Sequence, residues 1–243
     1  GRRGEAVFRQ PNSGACTGGI SDNDIKVAAL RAPAASGRKF TSTELGAAVT
    51  VAIDIKNLDD QPSSGNIDVS YSINGTLQET QTIAPAIAAG GTYTHSFTVP
   101  ANLSVAGNYS FEVQAVKAGD PVTSNNTLLQ LIKQLPNDPV SLPFTDNFDA
   151  APVQVFNRAQ MGLQGLDRYD FVSSTIYGQV RSFINTGIAY SGNRALTIDA
   201  ERYTAGNTDS LTGTYNIDLT GYNPLTDEIR IDFRYKNHGQ VAN

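Results

Sequence analysis

The chain has 243 residues, a formal net charge of −5 from 18 basic and 23 acidic side chains, no Trp, one Cys and two His. That length suits two domains of ordinary size, each burying its own core, and the charge excludes the concentrated basic surface that phosphate recognition needs. No run of about 18 apolar residues occurs, so no membrane-spanning helix is predicted.

Residues 1–22 hold Pro11, Gly14, Gly18 and Gly19 with no sustained hydrophobic period, and read as a linker or the tail of an upstream segment. Gly1 stands where an initiator Met would, and this start reads as a piece of a processed precursor. Strands are then predicted at residues 24–30, 49–56, 66–73, 78–83, 92–99, 108–116 and 128–132, separated by Gly, Pro, Asn and Asp clusters. Ile67, Val69, Tyr71 and Ile73 alternate with polar residues and run into Asn74-Gly75, the dipeptide suited to a two-residue type I′ hairpin. Seven such strands over residues 23–134 predict two packed antiparallel sheets, an Ig-like β-sandwich in an all-β chain. Pro136 and Pro139 then mark a stiff linker over 135–141. A second domain is predicted over 142–243, with strands at 179–184, 194–199, 211–219 and 228–235. The last alternates cleanly through Ile229, Ile231, Phe233 and Tyr235 and ends just before the chain does. Such a strand normally sits inside a sheet, so the second domain reads as the N-terminal part of a larger, truncated one.

The motifs NDIKVAALRAP (23–33), LGAAVTV (45–51), IKN (55–57), VSYSING (69–75), IAAGGTYTHSF (87–97) and NLS (102–104) together resemble the CARDB-type Ig-like domain of Bacteroidota surface proteins. The second part is similar to jelly-roll, MAM-like domains, through LPFTDNFD (142–149), YSGNRAL (190–196), IDLTGY (217–222) and FRYKNHG (233–239). The first resemblance implies a sandwich with Arg38-Lys39 where many relatives carry a Cys, which removes a bridging partner for Cys16. Cys16 is then a free thiol or bridged to sequence elsewhere. The pair of resemblances implies export by the type IX route to the cell surface or medium. Relatives serve there as adhesins or as accessory parts of secreted peptidases or glycoside hydrolases.

Catalysis needs a nucleophile–base pair or a metal cluster, and the only histidines are His95 and His238. His95 falls on the Tyr93–Phe97 face of a strand and reads as a packed core residue. His238 lies in a turn-like run with no second ligand near in sequence. No zinc-protease, nucleophile-elbow or phosphate-loop motif occurs, and the chain reads as non-enzymatic. Calcium is the better inorganic candidate because hard cations take carboxylate and carbonyl oxygens from loops. The resemblance places an acidic residue of a structural calcium site among Asp146, Asn147 and Asp149, and Asp227 and Glu228 complete the shell if the flanking segments lie side by side. A solvated turn is the equal alternative there; Asp22-Asn23-Asp24 offers another, weaker oxygen cluster, since domain starts are often polar for no chemical reason. Asp59-Asp60 reads as a solvated loop.

Jelly-roll relatives usually bind carbohydrate, and sugar rings stack on exposed aromatic faces. Seven of the ten Tyr lie in the second domain, including Tyr169, Tyr177, Tyr190, Tyr203 and Tyr215, and form either a binding platform or core. Asp209-Ser210-Leu211 matches the O-glycosylation acceptor pattern of exported Bacteroidota proteins and makes Ser210 the candidate site. The Asn-x-Ser/Thr triplets at Asn74, Asn102, Asn108 and Asn125 carry little meaning in a bacterial chain. The expected function is non-catalytic adhesion or target recognition, with an extracellular protein or glycan as partner, and no nucleic acid. The alternatives are accessory domains of a secreted hydrolase, or cargo bound to a secretion or gliding-motility machine.

Overall fold

The structure is a computed structural model that describes residues 23–156, 160–173, 181–199 and 210–236. Its contacts divide the chain into two units. One comprises the residues up to Ala35 together with Gly46–Lys133, and the other comprises Ser36–Leu45 together with the residues from Gln134 onward. The whole is all-β, and no helix is long and apolar enough to cross a membrane.

In the first unit β1 (Ile25–Ala32), β3 (Ala52–Asn57) and β6 (Thr92–Ser96) form an antiparallel sheet in the order β1-β3-β6. β4 (Ile67–Ile73), β5 (Thr76–Ile83), β7 (Gly107–Lys117) and β8 (Thr127–Leu135) form the other in the order β8-β7-β4-β5. All seven strands match predicted ones to within a few residues. The alternation works because each strand turns one face inward: Ile67, Val69 and Tyr71 are fully buried, as are Phe111, Val113 and Ala115 on β7 and Ile53 and Ile55 on β3. On β1 the buried residues are Ile25, Val27 and Leu30, and the extra step reflects a register shift between Val27 and Ala29.

Tyr71 sits at the centre of this core. Its ring lies 4.8 Å from Phe97 and stacks on Phe111 at 6.5 Å, while its hydroxyl donates to the Val99 carbonyl at 2.8 Å. The hydrogen bond is what allows a phenol to replace a phenyl ring in an apolar interior. The β4–β5 hairpin turns at Asn74 (φ 51°) and Gly75 (φ 80°), as a type I′ turn requires. The Asn74 side chain pins the turn to β7, accepting from the Ser110 N–H at 2.8 Å and donating to the Asn108 carbonyl at 3.3 Å.

His95 pairs with Ile53 across β6 and β3 and is buried, edge-on to Phe97 at 4.8 Å, with no partner for its Nε2. Burial lowers its pKa, partly offset by the negative charge of Glu79. The neutral imidazole is thus the native form, and the unfolded chain binds the extra proton more readily. Stability is therefore retained above pH about 6.5, the unfolded value, and falls as pH drops below it. Between pH 6.5 and 5, where exposed carboxylates stay ionised, urea denaturation is expected to show a loss of at most about 1.4 kcal/mol per pH unit. His95→Gln should flatten that slope; an unchanged slope would mean that the imidazole is not neutral in the fold.

The second unit has two antiparallel three-stranded sheets. β10 (Gln160–Leu163), β11 (Leu166–Ser173) and β14 (Leu211–Tyr215) form one in the order β10-β11-β14. β9 (Gln154–Phe156), β12 (Arg181–Thr186) and β13 (Arg194–Asp199) form the other, in the order β13-β12-β9. Ala151, Leu163, Phe171 and Ile184 make its buried core, with Phe148, Leu166, Tyr169 and Leu196 packed around them. β2 (Gly37–Arg38) also belongs here, running parallel to Gln134 and Leu135 at the end of β8. Gly37 is obligatory, because a Cβ there would lie 2.3 Å from the Thr43 carbonyl oxygen.

The strand predicted over 228–235 does not form. Residues 228–236 form no strand ladder among the described residues, and Phe233 and Tyr235 are 76% and 83% exposed. Alternation equips a segment to be a strand, but only a neighbouring edge makes it one.

Candidate binding site

The second unit is organised around a buried ion pair. Arg38, 1% exposed, is carried by β2, which the pairing with β8 sets in place. Its Nε donates to Asp170 Oδ2 at 3.1 Å and its Nη2 to Asp170 Oδ1 at 2.6 Å, the bidentate fork that a guanidinium favours. Its remaining donors reach the Pro136 carbonyl at 3.2 Å and the Asp167 carbonyl. Asp170 also accepts from the Gly162 N–H at 2.8 Å and the Asn216 side-chain amide at 2.7 Å. A buried charge pair is tolerated when its hydrogen-bonding groups are used, and here each Asp170 oxygen accepts two bonds while four leave the Arg38 guanidinium.

On the other face of β11 lies a row of aromatic rings. Tyr169 stacks parallel to Phe171 at 6.5 Å, packs on Phe148 at 4.9 Å and meets Tyr215 at 4.6 Å; Tyr215 in turn stacks on Phe144 at 6.4 Å. Asp146 stands beside the two phenols. Burial, then the Asp146 charge, raises the Tyr169 pKa well above the ordinary tyrosine value; Tyr215 is raised by the same causes, with Arg168 pulling the other way. Both phenols are thus neutral donors, and the Tyr215 hydroxyl, itself buried, has no hydrogen-bond partner.

The row opens onto a cleft of about 210 Å³ lined by Asp138, Phe144, Asp146, Leu166, Asp167 and Arg168, with Pro136 at its side. Arg168 lies 5.8 Å from the centre of the Phe144 ring and donates to the Asp138 carbonyl at 2.7 Å. Three carboxylates against one guanidinium leave the walls acidic. A second hollow, of about 410 Å³, is lined by Phe40, Asn137, Pro139, Ile217, Asp218 and Leu219, with Thr220 at its rim. Phe40 is 69% exposed, with the Lys39 ammonium 5.4 Å from its ring centre, while Asn137 and Asp218 are buried. An aromatic face beside amide and carboxylate groups suits a polyhydroxylated ligand, which stacks its C–H face and shares its hydroxyls. Neither hollow holds a nucleophile poised against a base, since the only described histidine is His95, in the other unit.

Residues 23–127 match the CARDB family model. The family is a non-catalytic Ig-like β-sandwich found in extracellular proteins. No curated protein matches the chain. The CARDB match begins just before β1, ends at the first residue of β8, and runs through Ser36–Leu45, the segment that clusters with the second unit.

Within the CARDB-like domain, Asp59 is not the solvated loop residue expected. It is buried, its Oδ2 accepting from the Asn23 N–H at 3.1 Å and its Oδ1 from the Gln61 N–H at 3.0 Å. The Asp24 carboxylate takes the Asn125 amide at 3.0 Å. Outside that domain, the five calcium candidates have separate occupations. Asp149 Oδ1 accepts from the N–H groups of Asn193 and Arg194 at 2.8 and 2.9 Å, and the Asn147 side chain closes a turn with the Asp149 N–H and carboxylate. Asp227 accepts from the Asn223 N–H at 2.7 Å, and Glu228 pairs with Arg230 at 2.9 Å on an exposed surface. The segment that bridges back to Pro139 is Asp218, and no three acidic, His or Cys side chains converge as a metal shell among the described residues.

Of the tyrosine candidates, Tyr169 and Tyr215 are packed in the aromatic row, whereas Tyr190 is 78% exposed with the Arg234 guanidinium 5.2 Å from its ring centre. Ser210 is exposed immediately before β14. Tyr177, Tyr203, His238, Cys16, Asp22 and Asp209 lie outside the described residues. The features that sequence reasoning missed are Arg38, Phe40 and Arg168. Arg38 carried one signal, a charged pair next to a glycine, and its partner 132 residues away was invisible.

Proposed function

We propose that the chain is a non-catalytic part of an exported surface protein, in which the CARDB-like sandwich is a spacer and the second, jelly-roll-type unit recognises a glycan. The observation that carries this reading is the pair of exposed aromatic rings, Phe40 and Phe144, each standing at a hollow with carboxylate residues in its lining. The sandwich supports the spacer role because its polar groups are spent on itself. Cross-strand pairs such as Asp54 with Thr94 and Asp68 with Thr82, both at 2.6 Å, cover its outer faces. Export by the type IX route accords with the resemblance of both halves to modules of Bacteroidota surface proteins.

Glycan-array screening followed by calorimetry tests the proposal. Binding of at least one glycan class is expected, and Phe40→Ala or Phe144→Ala should weaken it about tenfold or more, as the loss of one stacking face implies. Both rings are partly exposed, so the variants should keep the wild-type melting profile. Absence of any glycan binding, or binding indifferent to both substitutions, would overturn the assignment.

A further inference from the structure

At one end of the CARDB-like sandwich a lysine is buried with no counter-ion among the described residues. Lys117, the last residue of β7, is 7% exposed. Its Nζ donates to Ser63 Oγ at 2.7 Å and to Asn23 Oδ1 at 3.2 Å, and among the described residues it has no carboxylate within salt-bridge distance. An ammonium buried against neutral partners alone is an expensive arrangement, and most buried lysines are paired with an acid.

The carboxamide it meets is held just as firmly. Asn23 adopts a left-handed conformation (φ 57°) and its N–H donates to the buried Asp59 carboxylate at 3.1 Å. The next residues are clamped too, Asp24 by the Asn125 amide and the Ile25 N–H by Asp120 Oδ2 at 3.2 Å. Gly119, in the turn after β7, leaves room beside the amide nitrogen, where a Cβ would stand 3.6 Å from Asn23 Nδ2.

We propose that Lys117 and Asn23 join in an intramolecular isopeptide bond. The Nζ lone pair adds to Cγ of Asn23, the Cγ–Nδ2 bond breaks, and the nitrogen leaves as ammonia. The proton that Nζ gives up passes through the Ser63 hydroxyl, which accepts it and hands its own on, to the departing nitrogen. An amine and a primary amide thus become a secondary amide and ammonia, with no oxidant or cofactor. The reaction uses the amine without its extra proton. Fixing the two groups in contact raises their effective concentration by orders of magnitude, which is what brings so slow an exchange within reach. The product would tie the start of β1 to the end of β7, strands of different sheets, closing a loop between positions 94 apart.

Intact-mass measurement of the denatured full chain should give a mass one ammonia below that of the sequence, and a tryptic digest should contain one branched peptide joining the segments of Asn23 and Lys117. Lys117→Arg and Asn23→Ala should each restore the full mass, while Ser63→Ala should slow ammonia loss in freshly made protein. A succinimide at Asn74-Gly75 loses the same mass but would survive Lys117→Arg. The full sequence mass in protein that unfolds cooperatively, or a deficit that persists in Lys117→Arg, overturns the proposal.

Discussion

Replacing Arg38 by Ala is expected to destabilise the second unit by about 3–5 kcal/mol, the usual cost of removing one partner of a buried ion pair. The loss is large because Asp170, whose side chain is only 18% exposed, would keep its charge with only the Gly162 N–H and the Asn216 amide as donors. The carbonyls of Pro136 and Asp167 would also lose their donor. Arg38→Lys should recover little, since a single ammonium cannot reproduce the fork to both carboxylate oxygens. Near-ultraviolet circular dichroism of the tyrosines, followed through heating, should show the transition that reports Tyr169 and Tyr215 falling by roughly 10 °C or more. Asp170→Asn combined with Arg38→Ala should be less damaging than the sum of the single changes, because the orphaned charge is then gone. Additive losses would argue that the pair is not coupled.

In the CARDB-like sandwich the largest single loss is expected from Tyr71→Ala, about 3–5 kcal/mol, which removes a fully buried ring from between Phe97 and Phe111. Tyr71→Phe separates the two contributions. It keeps the packing and loses only the bond to the Val99 carbonyl, for a cost of about 1 kcal/mol. Equilibrium urea denaturation of both variants measures the difference. If Tyr71→Phe cost as much as Tyr71→Ala, the hydroxyl rather than the ring would be holding the sheets together.

The seven strands of the sandwich were legible because each has one wet and one dry face, so polarity alternates along the chain, and because Asn74-Gly75 supplies the positive backbone angles of its hairpin in sequence order. β11 was not legible because it is used on both faces. Tyr169 and Phe171 point to the aromatic row, while Asp170 is occupied by Arg38, so an inward carboxylate interrupts the pattern that marks a strand. Residues 228–235 failed in the opposite way, with perfect alternation and no ladder partner among those described. The candidate site was the least legible part, since its walls come from β2, the segment after β8, β11 and the segment after β14, and no local period joins them. The tyrosine content drew attention to the second domain, whereas the exposed rings at the hollows are phenylalanines.

The division of the second unit between Ser36–Leu45 and the residues beyond Lys133 has a consequence for how the protein is made. Arg38 leaves the ribosome 132 residues ahead of Asp170, a delay of about 7 to 26 s at ordinary elongation rates. The strands of the first sandwich are completed within that interval, since β8 ends at Leu135, while ten residues near its start wait for a partner not yet synthesised. A gene fragment begun at residue 134 would never supply them, so a recombinant second unit needs the Ser36–Leu45 peptide restored, either in trans or by circular permutation.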